Sequence, residues 1–306
     1  MGGVLTGFFS LGVVVALGYL LARHDVLGPG ADRVLSKLTF FAATPALMFR
    51  TLAGADVGAV FSTGALVTVA TAVTMAVLYA VLAAVLLRRR GAEVTIGALT
   101  ASYVNAGNLG IPILVFAVGD ATAIAPVLLL QLLVMVPVAF TVLDRQTGRR
   151  GVSRLDAVTG PLRNPLVIGV GAGLVVALTG VRLPEPVLLP VDILADMAVP
   201  VMLIAFGLSL RGAPLPGRGE VRAPMWLAAV LKSLVAPALA YVLGRAAGLT
   251  GDALLAPVVV AALPSAQNVF VYAMRYGRAV ALAREVILIT TIASVAVVVA
   301  LTAVLG

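Results

Sequence analysis

Ten apolar segments, each about as long as a membrane-spanning helix, constrain this sequence more than any other feature. About 20 apolar residues in a helix cross the hydrocarbon core of a bilayer. The chain of 306 residues is 61% hydrophobic and only 11% charged, unlike a soluble domain. We therefore predict an all-α integral membrane protein with ten transmembrane helices, at residues 2–22, 33–51, 59–87, 94–119, 121–143, 161–180, 187–210, 222–244, 251–275 and 281–305.

The basic residues are distributed unevenly over the loops between these segments. When the loops are assigned alternately to two sides, seventeen of the 21 Lys and Arg residues fall on one side and three on the other. An excess of Lys and Arg marks cytoplasmic loops. We predict a multi-pass protein of the plasma (inner) membrane with both termini outside the cytoplasm. The net charge of +8 then reflects topology and the lipid bilayer, not a nucleic-acid partner.

Helix-breaking and polar residues interrupt the fourth and ninth segments. They are Asn105, Gly107, Asn108, Gly110 and Pro112 in the fourth, and Pro264, Ser265, Gln267 and Asn268 in the ninth. Gly and Pro weaken a helix, and a membrane tolerates the freed backbone only inside protein or beside a wet cavity. Half-helix N-termini at such a break attract anions. We predict that these nine residues bind the substrate; the alternative is two kinked helices whose amides bond neighbouring helices.

Two pairs of prolines suggest that the chain is an internal repeat. Pro45 and Pro200 are separated by 155 residues, and Pro112 and Pro264 by 152. Each half would contain five spans, an odd number, so the second half would be inverted relative to the first. This predicts a first repeat at 1–143, a cytoplasmic linker at 144–160 and a second repeat at 161–306. Interrupted helices at corresponding positions of inverted repeats are typical of a transporter site.

Lys232 is predicted near the middle of the eighth segment. A charge at this depth is a functional candidate, either as a counter-charge for an anionic substrate or as a proton-linked group. The alternative is that the segment boundary is misplaced and the ammonium reaches the headgroups.

Other polar residues have simpler interpretations. Asp192 and Asp196 are expected at an exposed helix start, Glu285 at the membrane interface, and Gln131 in a bond between helices. Cysteine is absent and histidine occurs once, which argues against a metal site. No P-loop or nucleophile–base set is present, so we predict neither a cofactor nor an enzyme.

Residues 105–112 and 263–277, together with the segments around Pro45 and Pro200, resemble the auxin efflux carrier (PIN-like) family, which includes bacterial malonate or carboxylate permeases. The family belongs to the bile/arsenite/riboflavin transporter-type superfamily. The resemblance implies scaffold and transport domains each drawn from both repeats, crossed helices four and nine at the substrate site, and elevator-type alternating access. It also implies small organic anions as substrates, from carboxylates to auxin-like acids, and a homodimer.

The sequence departs from the plant members of this family in one respect. Their third segment carries an acidic and a basic residue, whereas residues 60–87 here contain no charged residue before Arg88. A sodium-coupled importer of the bile-acid symporter type, with sodium at the crossing, remains the main alternative. A channel and an intramembrane enzyme are weaker ones. Substrate identity, direction of transport and the coupling ion stay open.

Overall fold

The structure, a computed structural model, describes residues 2–54, 62–119, 123–147, 165–213, 215–218 and 220–305. Fifteen α-helices account for most of these residues. In chain order they are α1 Gly2–Arg23, α2 Ala31–Leu38, α3 Thr44–Ala53, α4 Thr63–Val85, α5 Ala92–Ser102, α6 Ile111–Val118, α7 Ile124–Leu130, α8 Val136–Gln146, α9 Pro165–Thr179, α10 Glu185–Leu208, α11 Arg222–Val230, α12 Ala236–Ala246, α13 Gly251–Ala262, α14 Asn268–Tyr276 and α15 Val280–Leu305.

Four wider π-helical turns lie before helices that carry a proline in their first turn. They are Thr39–Ala43, Ala106–Gly110, Gln131–Met135 and Leu231–Val235. The prolines that follow, from Pro45 to Pro237, lack an N–H and would clash with a carbonyl of the preceding turn. One extra residue in that turn relieves the clash and lets the helix continue. Three of the predicted spans are therefore continuous through a π turn.

Each of the ten predicted apolar segments overlaps a helical stretch of the described chain. Five of the described helices are long and apolar enough to cross a membrane, namely Thr63–Val85, Ile124–Gln146, Glu185–Leu208, Arg222–Ala246 and Val280–Leu305. Shorter apolar helices occur at Phe9–Arg23, Pro165–Thr179 and Gly251–Ala262, and the second and fourth segments are divided among α2, α3, α5 and α6. The first repeat was predicted to end at residue 143, whereas α8 continues to Gln146. Most of the predicted linker, from residue 148 onward, lies outside the described residues.

The first of two groups of packed helices consists of α1, α2, α3, α9 and α10. Glycines bring these backbones into direct contact. A methyl group on Gly18 or Gly207 would collide with the backbone of the facing helix, α10 or α1 respectively. Gly169 and Gly173 of α9 lie equally close to carbonyl groups of α3. Small residues at helix interfaces permit this close approach in membranes.

The second group consists of α4 to α8 and α11 to α15, with both broken segments inside it. Tyr79 of α4 is fully buried against α5, where a methyl on Gly97 would collide with its ring. The two groups meet where α14 packs on α2 and where α6 packs on α1. An aromatic contact lies near this boundary, because the Phe140 ring packs on Phe40 at 5.8 Å and on Tyr272 at 4.9 Å between centroids. The breaks thus lie in the second group, close to its contact with the first group.

Candidate functional site

The first break separates α5 from α6. Helix α5 ends at Ser102, and Tyr103 already has extended backbone angles, with φ −86° and ψ 106°. Helical structure resumes at Ala106 with a π turn. The sequence explains the interruption, because the stretch after Tyr103 is rich in Asn and Gly, which have low helix propensity.

The second break separates α13 from α14. Helix α13 ends at Ala262, and Leu263 is extended, with φ −57° and ψ 146°. Proline disfavours helical angles in the residue before it, so Pro264 accounts for this end. Pro112, by contrast, lies in the first turn of α6, beyond its own break. Pro112 and Pro264, which are 152 residues apart, therefore lie differently relative to their breaks: one follows a break and the other forms one.

The two breaks contact each other through their backbones. Val104 and Ser265 form an isolated antiparallel β-bridge. The Asn105 N–H donates to the Pro264 carbonyl at 2.9 Å, and all four residues are buried. Backbone groups freed from two helices thus satisfy each other, as a membrane interior requires.

Side chains of three predicted site residues strengthen this contact. The Asn105 side-chain amide donates to the Gln267 side-chain oxygen at 2.7 Å, and these residues are 2% and 3% exposed. The Ser265 hydroxyl donates to the Thr100 carbonyl at the end of α5. The Thr290 hydroxyl of α15 accepts from the Ser265 N–H at 3.2 Å. The structure therefore brings Asn105, Ser265 and Gln267 together.

Asn268 lies on a different side of the second break. Its side chain is a polar neighbour of the Tyr103 and Tyr272 hydroxyls, whose rings are in edge contact at 6.3 Å between centroids. The buried Tyr272 hydroxyl has no hydrogen-bond partner within normal geometry among the described residues. Asn268, Tyr103 and Tyr272 thus form a separate polar cluster at the start of α14.

The remaining predicted residues of the first break are only partly described. Gly110 is buried, and a methyl group there would collide with the Ile124 side chain of α7. Gly110 thus has a packing reason to be glycine. Gly107, Asn108 and Pro112 belong to helical backbone, but their side-chain positions lie outside the described residues.

Lys232 lies in the π turn between α11 and α12 and is 1% exposed. Its ammonium donates to the Ala261 carbonyl in the last turn of α13 at 2.6 Å. The ammonium therefore points into the protein and not outward, which argues against the alternative in which it reaches the headgroups. Ala261 immediately precedes the break, which connects Lys232 to the site through the backbone and not through a direct side-chain contact with Gln267.

An open groove of about 740 Å³, called the chamber below, lies beside the second break. It is bounded by α1 and α10 of the first group and by α15 of the second. Gln267 and Thr291 are the polar side chains among the described residues that line it, and aliphatic side chains and Phe206 form most of the rest. The Thr291 hydroxyl oxygen is buried without a partner in the described chain. An apolar pocket with a few convergent polar groups is the usual form of a small-molecule site.

Comparisons with known proteins fit this architecture. A family model described as membrane transport protein matches residues 4–302. A Rhizobium meliloti (strain 1021) protein named "Putative malonate transporter" is 31% identical over 309 residues, covering 97% of this chain and 93% of the relative. The chain belongs to the auxin efflux carrier family. As a member of that family, it is a multi-pass membrane transport protein.

The positions of three acidic residues, Asp192, Asp196 and Glu285, differ in the structure from those expected from the sequence. Asp192 and Asp196 lie inside α10, not at its start, and both pair with Arg50, at 3.5 and 2.7 Å. Glu285 was predicted at the membrane interface, but it is 1% exposed. The Gly217 N–H donates to one Glu285 carboxylate oxygen at 3.0 Å, so the loop before α11 covers this side chain. Among the described residues, no three His, Asp or Glu side chains are grouped as metal ligands.

Sequence reasoning on this auxin efflux carrier family member missed four polar residues around the breaks. Thr290 and Thr291 lie in α15, and Tyr103 and Tyr272 flank the breaks. A threonine in an apolar helix does not by itself indicate a binding site, because its hydroxyl can donate to a carbonyl of its own helix. Thr290 does so with the Val286 carbonyl. Gln131 behaves as predicted, since its amide donates to the Val104 carbonyl at 3.1 Å.

Proposed function

We propose that this auxin efflux carrier family member is a secondary transporter of small organic anions, with short carboxylates such as malonate as the substrate class. The observation that carries the proposal is the chamber, which lies directly beside the paired breaks. Its wall includes a polar side chain, Thr291, whose hydroxyl has no hydrogen-bond partner in the described chain. The relative named for malonate supports the choice of substrate class. The proposal covers the nine break residues predicted from sequence, of which Gln267 lines the chamber itself.

The electrostatics of the breaks favour an anion over a cation. Helices resume at Ala106 and Asn268, so two helix N-termini begin where the breaks pair. Each N-terminus carries a positive partial charge and free N–H groups. Gln267 accepts from Asn105 through its oxygen, which leaves its amide N–H groups to donate. The Thr291 hydroxyl at the chamber wall is buried without a partner in the described chain, and its proton would reach a bound anion once the side chain turns toward the chamber.

The position of the chamber supports an elevator-type cycle. The first helix group would be the scaffold domain, and the second group, with both breaks, the transport domain that carries the substrate. Few hydrogen bonds or cation–π contacts join the two groups among the described residues. Arg284 donates to the Ser209 carbonyl at 3.1 Å, and the Arg275 guanidinium packs over the Phe40 and Phe41 rings. These few contacts can break and reform as one helix group slides along the other.

Three further features belong to the same proposal. The fold would be two inverted five-helix repeats with the fourth and ninth helices crossing near the middle of the bilayer. Both termini would lie outside the cytoplasm of the inner membrane, in accord with the distribution of Lys and Arg over the loops. The carrier would form a homodimer. Cysteine accessibility of introduced positions on each side, and the mass of the purified protein in detergent, test these features.

Uptake of radiolabelled malonate into proteoliposomes tests the function. We expect wild-type protein to catalyse saturable uptake, and Gln267→Ala and Thr291→Val to raise KM about tenfold, because each loses a donor at the chamber wall. Gln146→Ala is the matched control, since Gln146 is exposed on α8. Uptake by both chamber variants at wild-type KM would contradict the proposed site. Wild-type flux far above carrier turnover would instead indicate a channel, and flux that requires sodium would indicate a sodium-coupled importer.

A further inference from the structure

Two of the three basic residues that are predicted outside the cytoplasm line the same pocket. The loop assignment places only Arg50, Arg182 and Arg245 on that side. Arg50 and Arg182 line an open pocket of about 470 Å³, called the outer pocket below, whereas Arg245 lies in the last turn of α12. Basic residues are scarce on the outer side of a membrane protein. Two of them in one pocket therefore indicate a ligand that needs positive charge there.

The outer pocket belongs to the first helix group, at the point where three of its apolar helices have their ends. Its walls come from the end of α3, the end of α9, the loop 180–184 and the start of α10. Arg50, Arg182 and Asp192 are its charged wall residues in the described chain, and the others, such as Phe49, are apolar or glycine. The ends of membrane helices lie near the depth of the lipid headgroups. A pocket with charged and apolar walls at this depth suits a lipid.

Arg182 presents an unused guanidinium to the outer pocket. It forms no hydrogen bond or ion pair within the part of the chain that the structure describes. Its planar fork of N–H donors matches two oxygens of a phosphate group. Arg50 differs, because its guanidinium already contacts Asp196 at 2.7 Å. Arg182 is therefore the residue that can bind a phosphate without first losing a partner.

Asp192 places a negative charge on the wall of the same pocket. Its contact with Arg50 is 3.5 Å long, against 2.7 Å for Asp196, so Asp192 is the weaker partner and keeps acceptor capacity. Two arginines and two aspartates balance at this site, which leaves no net charge to attract a purely anionic head. A head that carries both a phosphate and an ammonium complements Arg182 and Asp192 together.

We propose that the outer pocket binds one phosphatidylethanolamine molecule, with its phosphate on Arg182 and its ammonium on Asp192. The apolar wall residue Val181 is exposed, so the acyl chains can pass from the pocket into the bilayer. The ammonium of this lipid has N–H groups that donate to a carboxylate, whereas the trimethylammonium of phosphatidylcholine has none. The lipid joins the ends of α3, α9 and α10, and its binding does not depend on the proposed transport function.

Lipid titration of the purified protein, followed by native mass spectrometry, tests the proposal. We expect one phosphatidylethanolamine per chain, bound about tenfold more tightly than phosphatidylcholine or phosphatidylglycerol with the same acyl chains. Arg182→Ala should weaken this binding about tenfold, as when a charged hydrogen bond is lost. Asp192→Asn should remove the preference over phosphatidylcholine. Arg245→Ala is the matched control, because Arg245 is exposed on the same predicted side and lies outside the pocket.

Thermal unfolding in detergent gives an independent measurement of the same site. Phosphatidylethanolamine should raise the melting temperature of wild type more than phosphatidylcholine does, and Arg182→Ala should lose most of this difference. Soluble phosphoethanolamine should not stabilise the protein, because it lacks acyl chains. Equal binding of the two zwitterionic lipids by wild type, or equal affinity of Arg182→Ala and Arg245→Ala for phosphatidylethanolamine, would overturn the proposal. Stabilisation by phosphoethanolamine alone would also overturn it, in favour of a site for a soluble zwitterion.

Discussion

The hydrogen bond between Asn105 and Gln267 provides the sharpest test of the paired breaks. The donor and acceptor are 2.7 Å apart, and both residues are almost fully buried. In Asn105→Ala the Gln267 amide oxygen loses its donor in an almost fully buried site. Leaving a buried polar group unsatisfied costs about 1–3 kcal/mol. We expect either single alanine variant to lower the free energy of unfolding by an amount in this range.

The double variant separates this pairing from the loss of packing. Asn105→Ala with Gln267→Ala removes both partners, so no unsatisfied amide remains and the combined cost should be smaller than the sum. We expect a coupling energy of about 1 kcal/mol or more from the double-mutant cycle. Chemical unfolding of the purified protein in detergent micelles measures all four states of the cycle.

A control double-mutant cycle uses Gln146, an exposed glutamine away from the breaks. Asn105→Ala combined with Gln146→Ala should be additive, because Gln146 bonds Thr95 on the exposed surface, away from the breaks. If the Asn105 and Gln267 variants are also additive within about 0.5 kcal/mol, the two amides are not coupled. The breaks would then be held by their backbones alone, and the reasoning from the side-chain contact would be wrong.

Two further predictions concern the helices around the site. Gly207→Val should destabilise the first helix group by several kcal/mol or prevent folding, because the valine side chain would collide with the α1 backbone. Gly171→Val, by contrast, has open space, and thermal unfolding in detergent compares the two variants. Equal melting temperatures would contradict the close packing of α1 on α10. Arg50→Ala should change stability by less than about 1 kcal/mol, because its pairs with Asp192 and Asp196 are substantially exposed. A larger loss in the same assay would show that this pairing ties α3 to α10.

Much of the fold follows from one-dimensional features of the sequence. Apolar length locates all ten segments, and clusters of Gly, Asn and Pro locate both breaks within a few residues. The π turns are less visible, although each precedes a proline such as Pro137. These features are local, because helix length and helix interruption depend on neighbouring residues in the chain.

The contacts across the site depend on tertiary packing, so they could not be predicted from local features of the sequence. Asn105 and Gln267 are 162 residues apart in sequence, and nothing local indicates that they pair. Glu285 looked interfacial because it follows Arg284 at the start of an apolar helix, yet the loop containing Gly217 folds over it. The chamber requires three helices from two groups, so Thr291 gave no signal as a wall residue.

The two breaks satisfy their helix ends in chemically different ways. At the end of α5 the Thr100 carbonyl receives a neutral hydroxyl, from Ser265, whereas at the end of α13 the Ala261 carbonyl receives the Lys232 ammonium. A neutral hydroxyl is enough to satisfy the hydrogen bonding of a carbonyl. A lysine, by contrast, adds about 2.5–3.5 kcal/mol to the free energy of membrane insertion when it lies at the centre of a helix. Hydrogen bonding alone therefore does not account for Lys232. We propose that the ammonium also contributes its positive charge, close enough to the break to attract an anion held there.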